Sequence, residues 1–467
     1  MPIEKKPDEK KRAVGYRRET IFAAATGPAV GALTVFRLSG PQSEAALRTL
    51  TGKAPPAARC LTLRSLADPA SGEAIDRGLV AWFPGPDSVT GEDVVEFHVH
   101  GGRAVASALA ECLSRVAGLR PAEPGEFTRR AFGAGKLDLA QAEAVADLVA
   151  ADTAAQRRQA LRQLDGALGV LYEGWRVRLV AAASRYEAEI DFSDEDLPDA
   201  LVASVGRDLK GLATDIAAHL NDKRRGEILR DGFEIAILGA PNVGKSSLLN
   251  RLAGRDAAIV SQTAGTTRDV IEVHLDLGGY PVTFVDTAGL REQIGEAQEH
   301  ESIEREGIKR ALRRAEQADL KILVFDACKL PDLDRRTLAL AEDNSLVVVN
   351  KIDLAPNADL PDLPGCAGQA CGLSAKTGAG VEGLVAALTG TVAAKLESGG
   401  GSPLTRARHR AALEDCRTAL GRALEAEAAE LAAEDLRHAA HALGRITGRI
   451  DVEEILDVIF ADFCIGK

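Results

Sequence analysis

The stretch Gly239-Ala-Pro-Asn-Val-Gly-Lys-Ser246 constrains this chain more tightly than any other part of it. It stands between an apolar run, Glu234-Ile-Ala-Ile-Leu238, and a helix-like segment, SLLNRLAG at 247–254. A G-x-x-x-x-G-K-S spacing in that context predicts a strand, a glycine-rich turn and a helix whose first N–H groups wrap phosphate oxygens. Asn242, Val243, Gly244, Lys245, Ser246 and Ser247 are then the candidate phosphate contacts. In such a loop the lysine meets the β- and γ-phosphates and the serine holds Mg²⁺.

Two further stretches follow in the order a guanine-nucleotide site requires. VDTAG at 285–289 comes after a second apolar run, where Asp286 can hold the magnesium shell and Gly289, with Thr287 and Ala288, can report the γ-phosphate. Asn350-Lys351-Ile352-Asp353 comes after Ser345-Leu-Val-Val-Val349, and Ser374-Ala375-Lys376 follows it. The Asp353 carboxylate can accept two hydrogen bonds, from the guanine N1–H and the exocyclic amine, a pattern adenine cannot match. These residues predict GTP. The residue after DTAG is Leu290, where Ras-like enzymes carry a water-orienting glutamine, so another polar group must position water. The acidic run at 291–311 supplies candidates, and a bound monovalent cation could replace an arginine finger.

The chain around this unit has several textures. At 467 residues it exceeds one hydrophobic core, so two to four domains are expected, and 46% hydrophobic with 27% charged residues is an ordinary globular composition. Residues 1–18 are polar and read as a disordered extension. From 19 to 136, β-type runs (GALTVFRL, RGLVAWF, EDVVEFHV) alternate with helical patterns and predict a small α+β domain. Helical sequence fills 137–230, with Leu139, Ala142, Val145, Ala146 and Val149 on one face. The α/β unit occupies 231–397, and after a glycine-rich linker helical sequence returns over 398–467. The expected fold class is therefore multidomain α/β: a small α+β domain, a discontinuous helical domain and an inserted P-loop G domain.

Composition also excludes some classes. No uninterrupted apolar run is long enough to span a membrane and the N-terminal stretch is charged, so a cytoplasmic protein without a membrane partner is expected. Seven scattered cysteines offer neither a disulfide framework nor a CxxC zinc pair. His98 and His100 lie on one strand face without a third ligand nearby in sequence, which favours structural roles. A net charge of −12 argues against a protein coated for nucleic acid, yet QRRQALRQ at 156–163, NDKRR at 221–225 and RARHR at 406–410 are locally basic.

GAPNVGKSSLLN, AGTTRDVI, DTAGLRE, TGEDVVEFHVHGG, PGEFTRRAFGAGKLDLAQAEAVADL and the final CIGK together resemble the MnmE family of tRNA-modification GTPases, over nearly everything from Thr20 to Lys467. The resemblance implies a folate-binding, dimerising N-terminal domain, a split helical domain and a potassium-activated G domain. It also implies a homodimer that joins an FAD-binding partner, MnmG, in a heterotetramer and adds a carboxymethylaminomethyl-type group to C5 of the wobble uridine of certain tRNAs. Asn242 then matches the potassium ligand, with Ser261, Gln262, Thr263, Ala264, Gly265 and Thr266 forming the loop over the ion and Ser261, Thr263 and Thr266 contributing to its coordination. Thr267 completes the magnesium coordination beside Ser246. Glu304 matches the water-positioning carboxylate, with Glu301 in reserve because the separation from DTAG is longer here. Glu304, Lys245, Thr267 and Cys464 are the implied catalytic residues. Arg37, Glu96, Lys136 and Lys467 match positions that bind a 5-formyltetrahydrofolate-type one-carbon donor. Arg37 and Glu96 also read as a structural ion pair, and Lys136 as a helix-start lysine. The apolar face of the helix that ends in FADF predicts a docked helix end, and the resemblance implies that its tail carries the Cys464 thiol to the folate pocket. A ribosome-assembly or regulatory GTPase with a folate-binding domain remains the alternative.

Overall fold

The computed structural model describes residues 19–27, 31–191, 199–254, 272–286, 317–361, 363, 366, 369–397, 403–450, 456–457, 459–460 and 463–466, and within these the side chains at 189, 191, 199–204, 272 and 286 are not described. The extension at 1–18 lies outside them. The chain divides into two compact units, one drawn from 1–146, 163–210 and 415–467, the other from 147–162 and 211–414.

The first unit holds a six-stranded sheet in the order β3-β4-β5-β2-β1-β6. The three expected β-type runs form β2 (Leu33–Ser39), β4 (Ala74–Phe83) and β5 (Val94–His100), joined by β1 (Thr20–Ala24), β3 (Thr62–Ala67) and β6 (Leu119–Pro121). Alternation decides which face is covered: Phe36, Leu38, Val95, Phe97 and Val99 are buried, while Arg37, Glu96 and His98 between them are half-buried. The buried row packs in one core with residues of α1 (Ser43–Thr51) and α2 (Arg103–Arg115). Each large side chain so covered contributes about 1.5–3 kcal/mol.

Helix α3 (Glu126–Gly133) anchors a charged cluster that joins it to Glu19, Glu92 and Arg120. Arg130, 4% exposed at its side chain, pairs with Glu126 (2.9 Å) and Glu92 (2.9 Å), and Arg120 pairs with Glu126 (2.6 Å) and Glu19 (3.0 Å). Burial opposes ionisation of Glu126, but the Arg120 and Arg130 guanidiniums and the Glu123 N–H outweigh it and hold its carboxyl below the usual carboxylate range. Removing one partner of such a cluster strands buried charge, at a cost of about 3–5 kcal/mol. Glu126→Gln should therefore lower thermal stability markedly at about pH 7. Because the folded-state pKa is depressed, the contribution is present above the unfolded-state value and is lost as pH falls through the folded one. Thermal melts should show the gap between wild type and variant narrowing as pH is lowered from about 6 to about 3; a gap independent of pH refutes the assignment.

In α4 (Leu139–Ala150), Leu139 and Ala142 pack with Leu456, Phe460 and Phe463 near the C-terminus, with Ala146 and Phe132 at the margin. Val149, placed on the same face by its periodicity, is 45% exposed. Helix α6 (Ala167–Asp191) lies along the helix Ala429–Thr447, tied by Arg437–Glu187 (2.9 Å) and Arg449–Glu173 (3.2 Å).

The second unit is built on β12-β11-β10-β7-β9-β8, parallel except for the β8/β9 hairpin. Its strands are β7 (Phe233–Gly239), β8 (Glu272–Leu277), β9 (Tyr280–Asp286), β10 (Leu320–Asp326), β11 (Ser345–Asn350) and β12 (Cys371–Leu373). Strands β10 and β11 are buried throughout, as parallel strands covered on both faces must be. Helix α5 (Ala154–Leu164) runs beside α8 (Arg225–Asp231): Gln156 Nε2 donates to the Arg230 carbonyl and Gln159 Nε2 to the Gly226 carbonyl, each at 3.0 Å. The intervening α7 (Asp199–Leu220) leads into α8.

Candidate nucleotide and one-carbon sites

Strand β7 ends at Gly239, and α9 (Lys245–Ala253) begins at Lys245, so the predicted strand-turn-helix is formed. Gly244 caps the helix at φ 98°, a left-handed conformation that suits glycine. A Cβ there would lie 2.2 Å from Asn350 Nδ2, so the loop and the end of β11 meet at van der Waals contact. Lys245 is buried, with its ammonium donating to the carbonyls of Gly239 (3.0 Å) and Ala240 (2.8 Å), while Ser246 and Ser247 are exposed at the positive end of the helix. The donor set fits an oligophosphate.

Asn350 is the hub. It is 2% exposed; its Nδ2 donates to the Val243 carbonyl (2.8 Å), and its Oδ1 accepts from the N–H groups of Lys351 (2.8 Å) and Ala375 (2.9 Å). One amide thus fastens the phosphate loop to both base-recognition segments. Lys351, at φ 68°, reaches back to the Asn242 carbonyl (2.8 Å) and to Asp326 Oδ2 (2.7 Å). Burial works against the Asp326 charge, yet the Lys351 ammonium and the Cys328 N–H prevail and keep its carboxyl below the ordinary range. Arg251 Nε donates to the Ala375 carbonyl (3.1 Å), and Ser374 is buried while Asp353 and Lys376 are exposed.

The structure therefore brings Asn242, Val243, Gly244, Lys245, Asn350, Lys351 and Ala375 together. Asp286 ends β9 beside β7, aligned with Ile237, and its side chain is among those not described. Ser261, Gln262, Thr263, Ala264, Gly265, Thr266, Thr267, Thr287, Ala288, Gly289, Glu301, Glu304 and Lys467 lie outside the described residues. Of the expected magnesium ligands only Ser246 is described, and of the potassium ligands only Asn242. Among the described residues no cluster of three or more His, Cys, Asp or Glu is placed to hold a metal. Asp326 and Arg251 were missed; a lone aspartate closing an apolar strand carries no motif of its own.

In the first unit Arg37 stands opposite Glu96 in the β2/β5 register, and the two pair at 2.8 Å, with His98 Nε2 3.2 Å from the second Glu96 oxygen. The Arg37 guanidinium lies 6.0 Å from the Phe127 ring centroid. Lys136 is exposed at the turn after α3, where its N–H donates to the Ala131 carbonyl (2.9 Å). The C-terminal segment reaches the end of β1 in the same sheet. Gly466, at φ 99°, lies so close to the end of β1 that a Cβ would come within 2.4 Å of the Ala24 carbonyl oxygen, and Ala24 and Ala23 pair with Phe36 and Arg37. Cys464 is exposed, its carbonyl accepting from the Gly125 N–H at 3.5 Å. His100 binds Asp76 (2.8 Å). Among the described residues, no helix is long and apolar enough to cross a membrane.

Comparison with known proteins completes these observations. A family model described as the MnmE helical domain matches residues 139–464, and one described as the GTP-binding protein TrmE N-terminus matches 20–136. The tRNA modification GTPase MnmE of Parvibaculum lavamentivorans is 55% identical over 455 residues, covering 96% of this chain and 100% of that protein. MnmE of Paramagnetospirillum magneticum is 56% identical over 449 residues, with the same coverage of 96% and 100%. The mitochondrial 5-taurinomethyluridine-[tRNA] synthase subunit GTPB3 of Danio rerio is 47% identical over 477 residues, covering 96% of this chain and 93% of that protein.

Proposed function

This chain belongs to the MnmE family of tRNA modification GTPases, and we propose that it hydrolyses GTP in order to modify C5 of the wobble uridine of certain tRNAs, as a cytoplasmic homodimer working with an FAD-binding partner of the MnmG kind. The observation that supports this reading most directly is the Asn350 amide, which holds a phosphate-binding loop and a guanine-reading pair of segments in one frame. In this reading the helical segments before and after 231–397 form one discontinuous domain into which the G domain is inserted.

Within the G domain, Lys245 neutralises charge on the β- and γ-phosphates, the first-turn N–H groups of α9 orient them, and Asp353 selects guanine. Ser246 and Thr267 would hold Mg²⁺, and Asn242, Ser261, Thr263 and Thr266 would hold K⁺; bound there, the two ions would supply positive charge to the phosphate oxygens. Glu304 positions water in place of the glutamine that Leu290 replaces. In the N-terminal domain, Arg37, Glu96, Lys136 and Lys467 hold a 5-formyltetrahydrofolate-type donor beside the Cys464 thiol. The exposure of Cys464 and the seating of Gly466 on β1 next to the strand that carries Arg37 are consistent with that placement.

Two measurements test the reading. GTP turnover should rise at least about tenfold when sodium is replaced by potassium, the scale expected for one added electrostatic contact in the transition state; equal rates in the two salts contradict the cation assignment. Mass analysis of wobble uridine in cells lacking the protein should show the modification missing, and its persistence would favour a ribosome-assembly or regulatory role.

A further inference from the structure

The three locally basic stretches, at 156–163, 221–225 and 406–410, are far apart in sequence yet converge in the second unit. Helix α5 lies antiparallel to α8, Gln156 Nε2 meeting the Arg230 carbonyl and Gln159 Nε2 the Gly226 carbonyl, and Lys223 and Arg224 stand in the turn that leads into α8. The third stretch closes on the same place. The Leu404 N–H donates to Asp222 Oδ2 (3.2 Å), and Arg410 reaches Asp222 (2.7 Å), Glu227 (2.9 Å) and the Leu220 carbonyl (2.8 Å).

The carboxylates of this region are already engaged. Asp147 takes Arg230 (3.1 Å) and Arg406 (2.5 Å), Asp222 takes Arg410, and Glu227 is shared by Arg410 and Arg224 (2.7 Å). All three are buried or nearly so, whereas the Arg224 side chain is 69% exposed. Arg157, Arg158, Arg162 and Lys223 are exposed as well, and α5 itself carries no acid: Asp152 and Asp165 lie beyond its two ends. Gln156, Gln159 and Gln163 make its inward hydrogen bonds, so the arginines on the outward side are not needed to hold the helix in place. Five residues of α-helix rise about 7.5 Å, less than the screening length of about 8–10 Å at physiological salt, so the fields of these cations add. In a chain of net charge −12, such a local surplus stands out against its surroundings.

We propose that the face formed by Arg157, Arg158 and Arg162 with Lys223 and Arg224 is a docking surface for the sugar-phosphate backbone of the substrate RNA. The occupant follows from charge complementarity. Guanidinium groups match phosphate oxygens bidentately, and the exposed side chains that carry this face are cations rather than aromatic rings. It is a positioning surface for a folded RNA, contributing affinity without sequence choice. This rests on the tRNA-modification reading given above, whose own test is the wobble-uridine analysis.

The experiment uses the full-length protein and an unmodified tRNA transcript, with binding followed by fluorescence anisotropy over a series of salt concentrations. Replacing Arg157, Arg158 and Arg162 together by alanine should weaken binding at least about tenfold at low salt and reduce the slope of log K against log salt by about 2–3, near one per lost phosphate contact. The corresponding lysine triple variant should retain most of the binding and most of the slope. GTP turnover without RNA should be unchanged in both, which shows that the α/β domain is intact. Unchanged affinity and slope in the alanine variant overturn the proposal. So does loss of wobble modification with RNA binding intact, which would assign the face to a protein partner, and so does a wild-type protein that fails to bind the transcript. If instead the alanine variant loses RNA binding while cells lacking the protein keep the wobble modification, the surface stands and the assigned reaction falls.

Discussion

Replacing Gly244 by alanine should abolish useful nucleotide binding while leaving the α/β domain folded. The residue sits at φ 98°, which costs an L-residue about 1–2 kcal/mol. The added methyl would lie 2.2 Å from Asn350 Nδ2. An exposed side chain could swing aside, but this amide is pinned at both ends, to Val243 and to the N–H groups of Lys351 and Ala375. Moving it leaves buried polar groups without partners, at about 1–3 kcal/mol for each. Affinity for a fluorescent GDP or GTP analogue should fall at least about 100-fold, equivalent to about 2.7 kcal/mol. The thermal transition should fall by several degrees, since these costs are borne by the folded state, yet stay cooperative, because the apolar core under β7 and α9 is untouched. An affinity within about threefold of wild type would mean that the loop relaxes without disturbing Asn350.

Cys464→Ser should separate the two halves of the activity. The substitution changes an exposed side chain, and the terminal segment is anchored by groups on either side of it: Phe460 and Phe463 against α4, and Gly466 against β1. Folding and GTP turnover should therefore be close to wild type. If the thiol acts on the one-carbon unit, a hydroxyl without an adjacent base is a far poorer nucleophile, and wobble-uridine modification should drop at least about 100-fold. Mass analysis of tRNA from cells carrying only the variant reads this directly. Full modification would reduce Cys464 to a packing residue, and loss of GTP turnover as well would mean that the tail serves the fold.

The parts of the molecule that were legible in advance are those where covalent constraint and local sequence coincide. The phosphate loop was readable because glycine spacing, flanking strand and following helix all lie within one short stretch. The strands β2, β4 and β5 were readable from alternation, and so was the docking of Phe463 with the end of the chain. What escaped depends on distant partners. Asp326 matters through Lys351, 25 residues on, and Glu126 through Arg120 and the loop at Glu92 as well as through Arg130; of these only the i,i+4 pair with Arg130 is a spacing that the chain itself displays. Val149 satisfied the helical period and is still exposed, since periodicity says which residues share a face and not how far the covering element extends. Arg37 and Glu96 meet as an ion pair, which the sequence allowed alongside a ligand-binding role.

The register of β2 against β5 carries a consequence for how this site can vary among relatives. Arg37 faces Glu96 on one side of the sheet while Phe36, Leu38, Val95 and Phe97 fill the other. A slip of either strand by one residue would turn its own charged residue into the core and its phenylalanine out of it. A one-residue insertion in either strand must thus be absorbed as a bulge, of the kind that breaks the β3/β4 register at Leu66–Ala67, if the polar face is to stay on its own side of the sheet. The hydrophobic core acts as a ruler that indexes the chemistry on the opposite face.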